Sequence, residues 1–269
     1  MKKNMPLVSI IMSEYNTNKK LLIESIQSLL NQTYNNFEII LIDDCGENDV
    51  NDVIKIFNDK RIKVFRNENN SGLVYSLNKA IKLSSGQYIA RMDTDDYSYP
   101  DRIEKQVDFM IKNPKYDVIG TKCYYYDGQN IWGKSNFSGE ITKEVMLNGT
   151  PLIHPSVMYK KSIMEKNGGY LNYKRCEDTA TWIDLFSKGY KMYVLDDALV
   201  RYHLDKNDYK KRSLKNRKDS FRLLNEIYIK LNPSKSLFIK KKIKLFLSCI
   251  LPHSLLFKYH KNKFRERNN

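Results

Sequence analysis

Along the first hundred residues the hydrophobic pattern switches back and forth between two periods. Short apolar, β-branched runs (LVSIIM, FEIILI, RIKVF and QYIA) end abruptly in polar residues, as buried strands do where they open into loops. Between them, Leu21, Leu22, Ile26, Leu29 and Leu30 recur at the spacing of one helix face. The stretches VNDVIKIFND and LVYSLNKAIKLSSG carry the same helical period. Strands alternating with helices predict βαβ units, an α/β fold and a mostly parallel sheet flanked by helices. Such sheets gather ligands beyond the carboxyl ends of their strands.

Acidic and polar residues follow the same end of three of these strands: Glu14 to Asn16, Asp43 with Asp44, and Asp93, Asp95 and Asp96 in YIARMDTDDYSYPDRI. Clustered carboxylates repel and raise one another's pKa unless a cation sits among them. Taken alone, three Asp before Pro100 also fit a solvated turn, because Asp side chains bond nearby backbone. Recurrence at the same strand end favours one shared rim. Carboxylate oxygens are hard ligands suited to Mg²⁺ or Mn²⁺, ions that bridge diphosphates, and others on the rim can bond ribose hydroxyls or a base N–H.

Charge divides the chain. Only 5 of the 31 acidic residues but 20 of the 46 Lys and Arg lie from Arg201 onward, so the first 200 residues are neutral and the net +15 belongs to the tail. A balanced globular domain followed by a basic appendage fits an anionic surface. With 269 residues, 41% hydrophobic, the chain can bury an ample core. No run reaches bilayer-spanning length, and MKKNMPLVSIIM lacks a long apolar core and a cleavage site, which predicts a cytoplasmic protein. Cys45, Cys123, Cys176 and Cys249 lie far apart, so neither a zinc knuckle nor a disulfide framework is indicated.

With these residues assembled, the sequence resembles a family 2 glycosyltransferase of the GT-A fold, of the type that builds bacterial capsule and cell-surface polysaccharide. The segments that carry the likeness are VSIIMSEYN, SIQSLLNQTYNNFEIILIDDCGEND, NENNSGLVYSLNKAIKLSSGQYIARMDTDDYSYPDRIEKQ, HPSVMYKKS with GGY, and CEDTATWIDLFSKGY, in the family's order. Several such segments in register are far more specific than one D-x-D. The resemblance implies a nucleotide site at Tyr15 and Asn16, with Asp44 on the uracil of a UDP-sugar. It implies that Asp93 and Asp95 hold the ribose and sugar side while Asp95 or Asp96 ligates Mn²⁺ or Mg²⁺. Asp178 is then the catalytic base, with Glu177 beside it, and His203 in LVRYHLDKND matches a closing segment that reaches the metal or diphosphate.

The implied reaction is inverting transfer of a single sugar to a glycan or polyprenyl-diphosphate-linked acceptor. In-line attack needs one carboxylate to take the acceptor proton and others, on the opposite side of the sugar, to hold the cation on the departing diphosphate. Ser13 stands where many relatives have Pro, and Asp184 where relatives often have Arg. The Q-x-x-R-W signature of processive synthases is absent, which favours single addition. The alternatives are an inactive sugar-nucleotide-binding scaffold, against which Asp178 argues, and a sugar nucleotidyltransferase, for which MSEYNTNKK lacks the Gly-rich phosphate loop.

Other residues have plainer readings: His154 in PLIHPSVMY as a structural histidine in an apolar strand context, Trp182 as core, Gly168 and Gly169 as a turn before Tyr170. Residues 1–203 are expected to form the catalytic domain, with nucleotide-sugar binding over about 1–100 and the acceptor side over about 101–203. Residues 204–269 are expected to form a basic amphipathic helical extension lying on anionic lipid through Lys240 to Lys244, peripherally at the inner face of the cell membrane. No nucleic-acid partner is expected, since no recognised fold or aromatic platform accompanies the basic tail.

Overall fold

A computed structural model describes residues 5–47, 50–209 and 217–265. The first hundred residues follow the periodicity: β1 (Val8–Glu14), α1 (Lys19–Leu30), β2 (Phe37–Asp43), α2 (Val50–Phe57), β3 (Ile62–Arg66), α3 (Leu73–Leu83) and β4 (Tyr88–Arg91). There follow β5 (Tyr97–Ser98), α4 (Arg102–Lys112), β6 (Val118–Tyr126), β7 (Ile131–Lys134), β8 (Gly139–Glu140), α5 (Lys143–Asn148) and β9 (Met158–Lys160). The chain continues through α6 (Lys161–Asn167), α7 (Glu177–Ser187), β10 (Met192–His203), α8 (Lys218–Glu226), α9 (Lys235–Ile250) and α10 (His253–Phe264). His154 begins a short 3-10 turn, His154–Ser156, rather than extending a strand, because Pro155 sits at the first turn of that segment.

The sheet order is β3-β2-β1-β4-β9-β6-β10-β5, with β7 on β6 and β8 on β10. β1 pairs in parallel with both β2 and β4, so the direction of winding reverses beside β1, where an α/β sheet opens a crevice. β9 runs antiparallel between β4 and β6, and β10 is parallel to β6. Two reversals cancel, so β10 points the same way as β4 and delivers His203 to the rim that receives the Asp93 loop.

The pleat sorts side chains onto two faces. Val8, Ile10 and Met12 of β1, with Ile39 and Leu41 of β2, pack against Leu22, Ile26 and Leu29 of α1 and Ile103 and Val107 of α4. Ile11, Ile40 and Ile42 face the other layer, with Leu77 and Ile81 of α3, Ile163 of α6 and Trp182 of α7. This is the period of two that the strand runs carry, read out as two cores.

The segment beyond residue 203 is not uniform. Leu223, Leu224, Ile227, Tyr228 and Leu231 are buried in the second core. Lys230 and Lys188 both donate to the buried Asp184, which fastens this segment to α7. α9 and α10 have no buried residues and expose Ile243, Phe246, Leu247 and Ile250. Phe257 and Phe264 of α10 nevertheless reach Trp132 and Tyr125. No helix among the described residues is long and apolar enough to cross a membrane.

Candidate active site

The loop after β4 brings Asp93, Asp95 and Asp96 together, with one oxygen of each within 4.8 Å of the others. Asp93 is gripped by both terminal nitrogens of Arg91, a buried guanidinium two residues earlier on the same side of the chain. Asp96 is buried; its Oδ1 accepts the His203 backbone N–H at 2.6 Å, while its Oδ2 is buried with no hydrogen-bond partner. Asp95 is more exposed and lies 3.5 Å from Nδ1 of His203. Burial, then the charges of Asp93 and Asp95, push the Asp96 carboxyl well above the ordinary range. Burial also raises Asp93 despite the opposing pull of Arg91. The bond to Asp95 raises His203 toward the protonated form. A buried, partnerless carboxylate oxygen inside an all-oxygen donor set is what a hard divalent cation would complete, so these residues fit Mn²⁺ or Mg²⁺.

Across the sheet order, the first turn of α7 carries Glu177 and Asp178, where the helix dipole favours anions. Asp178 Oδ1 accepts the Thr179 N–H at 2.6 Å. Burial raises Asp178, and burial together with the Asp178 charge lifts Glu177 to about 7. The charge of Asp178 is felt at Asp93, and that of Arg91 at Asp93, Asp96, Glu177 and Asp178, so both carboxylate groups share one electrostatic site with the buried Arg91 guanidinium. Glu177 Oε1 lies 3.8 Å from Nδ1 of His154, whose Nε2 is 3.1 Å from the Tyr170 hydroxyl. Burial, and Arg91 after it, hold His154 well below its usual pKa and therefore neutral at pH 7.

The loop after β1 exposes Tyr15 and puts Asn16 in the left-handed region at φ 56°, where its Oδ1 accepts the Glu47 N–H at 2.7 Å. Thr17 Oγ1 and Thr94 Oγ1 meet at 2.7 Å and tie that loop to the Asp93 loop. Asp44 is buried and accepts three hydrogen bonds, from Asn67 Nδ2 at 2.7 Å, Ser71 N at 2.9 Å and Gly72 N at 2.8 Å. Gly72 has φ 85°, which an L side chain rarely adopts. The rim therefore joins the ends of β1, β2, β4 and β10.

The family model described as Glycosyl transferase family 2 matches residues 9–168. The chain belongs to glycosyl transferase family 2. Among family relatives, EpsE of Bacillus subtilis is 33% identical over 266 residues, 96% of this chain and 94% of EpsE. The Escherichia coli UDP-Glc:alpha-D-GlcNAc-diphosphoundecaprenol beta-1,3-glucosyltransferase WfaP is 32% identical over 193 residues, 70% of this chain and 73% of WfaP. The fold is similar to that of S. aureus TarS 1-349 solved with UDP-GlcNAc, with a TM-score of 0.70 at 21% identity over 84% of this chain and 67% of that one. The chain spans 38% of a longer S. aureus TarS structure. As a family 2 member the protein is a glycosyltransferase, an enzyme of nucleotide-sugar chemistry.

Family 2 membership leaves the roles of individual residues to the geometry. Arg91 was missed in the sequence, although an Arg inside the apolar run YIAR, two positions from Asp93 and so on its side of the strand, was the available signal. The Thr17 to Thr94 bond and the His154–Tyr170 pair join residues 77 and 16 positions apart and left no trace in local periodicity. Trp182 is fully buried, and Gly168 and Gly169 both have positive φ before Tyr170.

Proposed function

We propose that the chain transfers one sugar, with inversion, from a UDP-sugar to a glycan or polyprenyl-diphosphate-linked acceptor. The observation that carries this reading is the partnerless Asp96 oxygen within a three-carboxylate cluster that feels the charge of Asp178. Asp93, Asp95 and Asp96 would hold Mn²⁺ or Mg²⁺, with His203 beside them. That ion, when bound, supplies positive charge to the departing diphosphate. Tyr15, Asn16 and Asp44 form the nucleotide side, where Asp44 orders the loop before α3 and keeps one lone pair of its carboxylate for a base N–H.

Asp178 takes the proton of the acceptor hydroxyl as that oxygen bonds the anomeric carbon; the bond to the donor oxygen breaks and its electron pair leaves with UDP. A base must be ionised to act, and burial raises Asp178, so neutralising the facing carboxylates keeps it competent. Glu177, lifted to about 7, is neutral in a good fraction of molecules near pH 7 and contacts the acceptor side. The basic region after residue 203 suits a cytoplasmic enzyme working peripherally at the inner face of the membrane, where lipid-linked acceptors are presented.

Thermal stabilisation of the purified protein by UDP, GDP, CMP and a panel of UDP-sugars, with and without Mn²⁺, tests the reading, because a ligand that binds only the native state raises its stability by mass action. A UDP-selective, Mn²⁺-dependent shift, lost in Asp95→Asn and Asp96→Asn, is expected. No shift from any nucleotide in the presence of metal would sink it.

A further inference from the structure

Beside the N-terminus of α7, on the side toward α9 and α10, lies a concave groove of about 860 Å³, within the range of small-molecule sites. Its walls are apolar: Leu223 and Leu224 from α8, Ile243 and Leu247 from α9, Leu255 and Tyr259 from α10. Its edge is basic, with Arg175, Lys240, Lys241 and Lys244, and none of the described residues lining it is a carboxylate. Among the described residues no carboxylate forms an ion pair with these four cations. Lys240 and Lys244 sit one turn apart on α9, and burial together with the charge of Lys244 lowers the pKa of Lys241, so Lys241 and Lys244 lie close enough to repel one another. Lys241 donates to the Asn148 carbonyl at 2.6 Å, which leaves Arg175, Lys240 and Lys244 as cations without a carboxylate around an apolar trough, a setting that calls for an anion joined to a hydrocarbon.

The position of the groove adds the second half. Cys176 and Thr179, which bracket Glu177 and Asp178, are part of its lining. Arg175, three residues before Asp178, holds φ 63°, an uncommon conformation for a residue with a side chain, of the kind that clusters at ligand sites. An anion held at Arg175 would therefore lie at the start of α7, three residues along the chain from the carboxylate assigned to take the acceptor proton.

We propose that this groove binds the prenyl-diphosphate portion of the acceptor, with the diphosphate on Arg175, Lys240 and Lys244 and the first isoprene units along Leu224, Leu247 and Leu255. This rests on the glycosyltransferase reading above and makes it more specific: the acceptor sugar sits close to its diphosphate, so the enzyme acts early on a short lipid-linked glycan. A flat anionic membrane is the weaker occupant, because the buried Leu223 and Leu224 and the exposed Ile243, Leu247 and Leu255 line one concavity rather than a flat face. Chain and diphosphate each contribute, since apolar burial and charge pairing act on different parts of one ligand.

The test is equilibrium binding of geranylgeranyl diphosphate to the full chain, with geranylgeraniol, inorganic diphosphate and phosphatidylglycerol vesicles measured in parallel, and UDP with Mn²⁺ measured on every sample. Geranylgeranyl diphosphate should bind at least tenfold more tightly than either the alcohol or inorganic diphosphate. Lys244→Glu and, separately, Leu255→Asp should each weaken it by tenfold or more and leave the UDP shift unchanged, which also certifies that each variant is folded. Equal binding of inorganic diphosphate, or variants that lose vesicle binding while keeping geranylgeranyl diphosphate, would overturn the groove assignment with the glycosyltransferase reading intact. Absence of the UDP shift in the wild-type protein would instead remove the reading on which the assignment rests, and the assignment with it.

Discussion

Replacing Arg91 by Met removes a buried guanidinium whose charge reaches both carboxylate groups. Its side chain is 3% exposed and pairs with Asp93, and its charge also lowers the pKa of Asp96, Glu177 and Asp178. Breaking a buried pair by deleting one partner costs roughly 3–5 kcal/mol, since the remaining charge stays in a poor solvent for it. Asp93 is partly exposed, which puts the expected loss near the lower end, about 3 kcal/mol. In urea unfolding without metal, that corresponds to a midpoint lowered by roughly 1–1.5 M. The loss should shrink as the pH falls from 8 to 6, because the carboxylates left behind can take up protons. It should shrink too in an Asp93→Asn background, by at least about 1 kcal/mol, the signature of coupled neighbours in a double-mutant cycle. A loss below about 1 kcal/mol at pH 8, or one unchanged by Asp93→Asn, would refute the placement of Arg91 as the shared counter-charge.

Three further outcomes follow from the same geometry. Asp178→Asn should lower the rate of sugar transfer by at least about a hundredfold while leaving the UDP-dependent thermal shift in place, because a base acts only on the acceptor proton. Glu177 has a folded pKa of about 7, raised from an ordinary 4.5, so its contribution to stability is present at low pH and is lost as pH rises through 7. With metal chelated, the stability of wild type relative to Glu177→Gln should therefore increase by about 1.3 kcal/mol from pH 8 to pH 6, and this comparison cancels the opposite contribution of His154. Asp184→Asn removes the carboxylate that accepts from both Lys188 and Lys230 and should destabilise the protein by about 2 kcal/mol in chemical denaturation, because the two half-exposed lysines weaken the pair through solvent screening.

The sequence was most legible where local pattern and tertiary need agree. The strands β1, β2 and β4 are apolar runs because they are buried on both faces, and α1 shows its inner face because the other is in water. The rim could be anticipated because parallel strands all end on one side, which put Asp44 at the same strand end as Asp93 and Asp96 without any contact being known. What periodicity could not reveal was pairing across the chain. Asp184 looked only like a departure from relatives, whereas it is the buried anchor for Lys230, 46 residues away. The His154 turn was obscured by its apolar neighbours, and the antiparallel strand β9 is only Met158–Lys160, too short to show alternation. The basic tail read as one amphipathic unit, yet Leu223 to Leu231 complete the core, while α9 leans on it through Phe238 and Leu245 and has no buried residue of its own.

The most direct test of the central claim is the electron paramagnetic resonance of free Mn²⁺ during titration with the protein and UDP. The wild-type chain with UDP should remove about one equivalent of Mn²⁺ from the free signal, whereas Asp95→Asn and Asp96→Asn, folded by circular dichroism, should leave most of it free. Equal uptake by wild type and both variants would show that the carboxylates after β4 do not hold the cation, and the assigned donor site would be wrong.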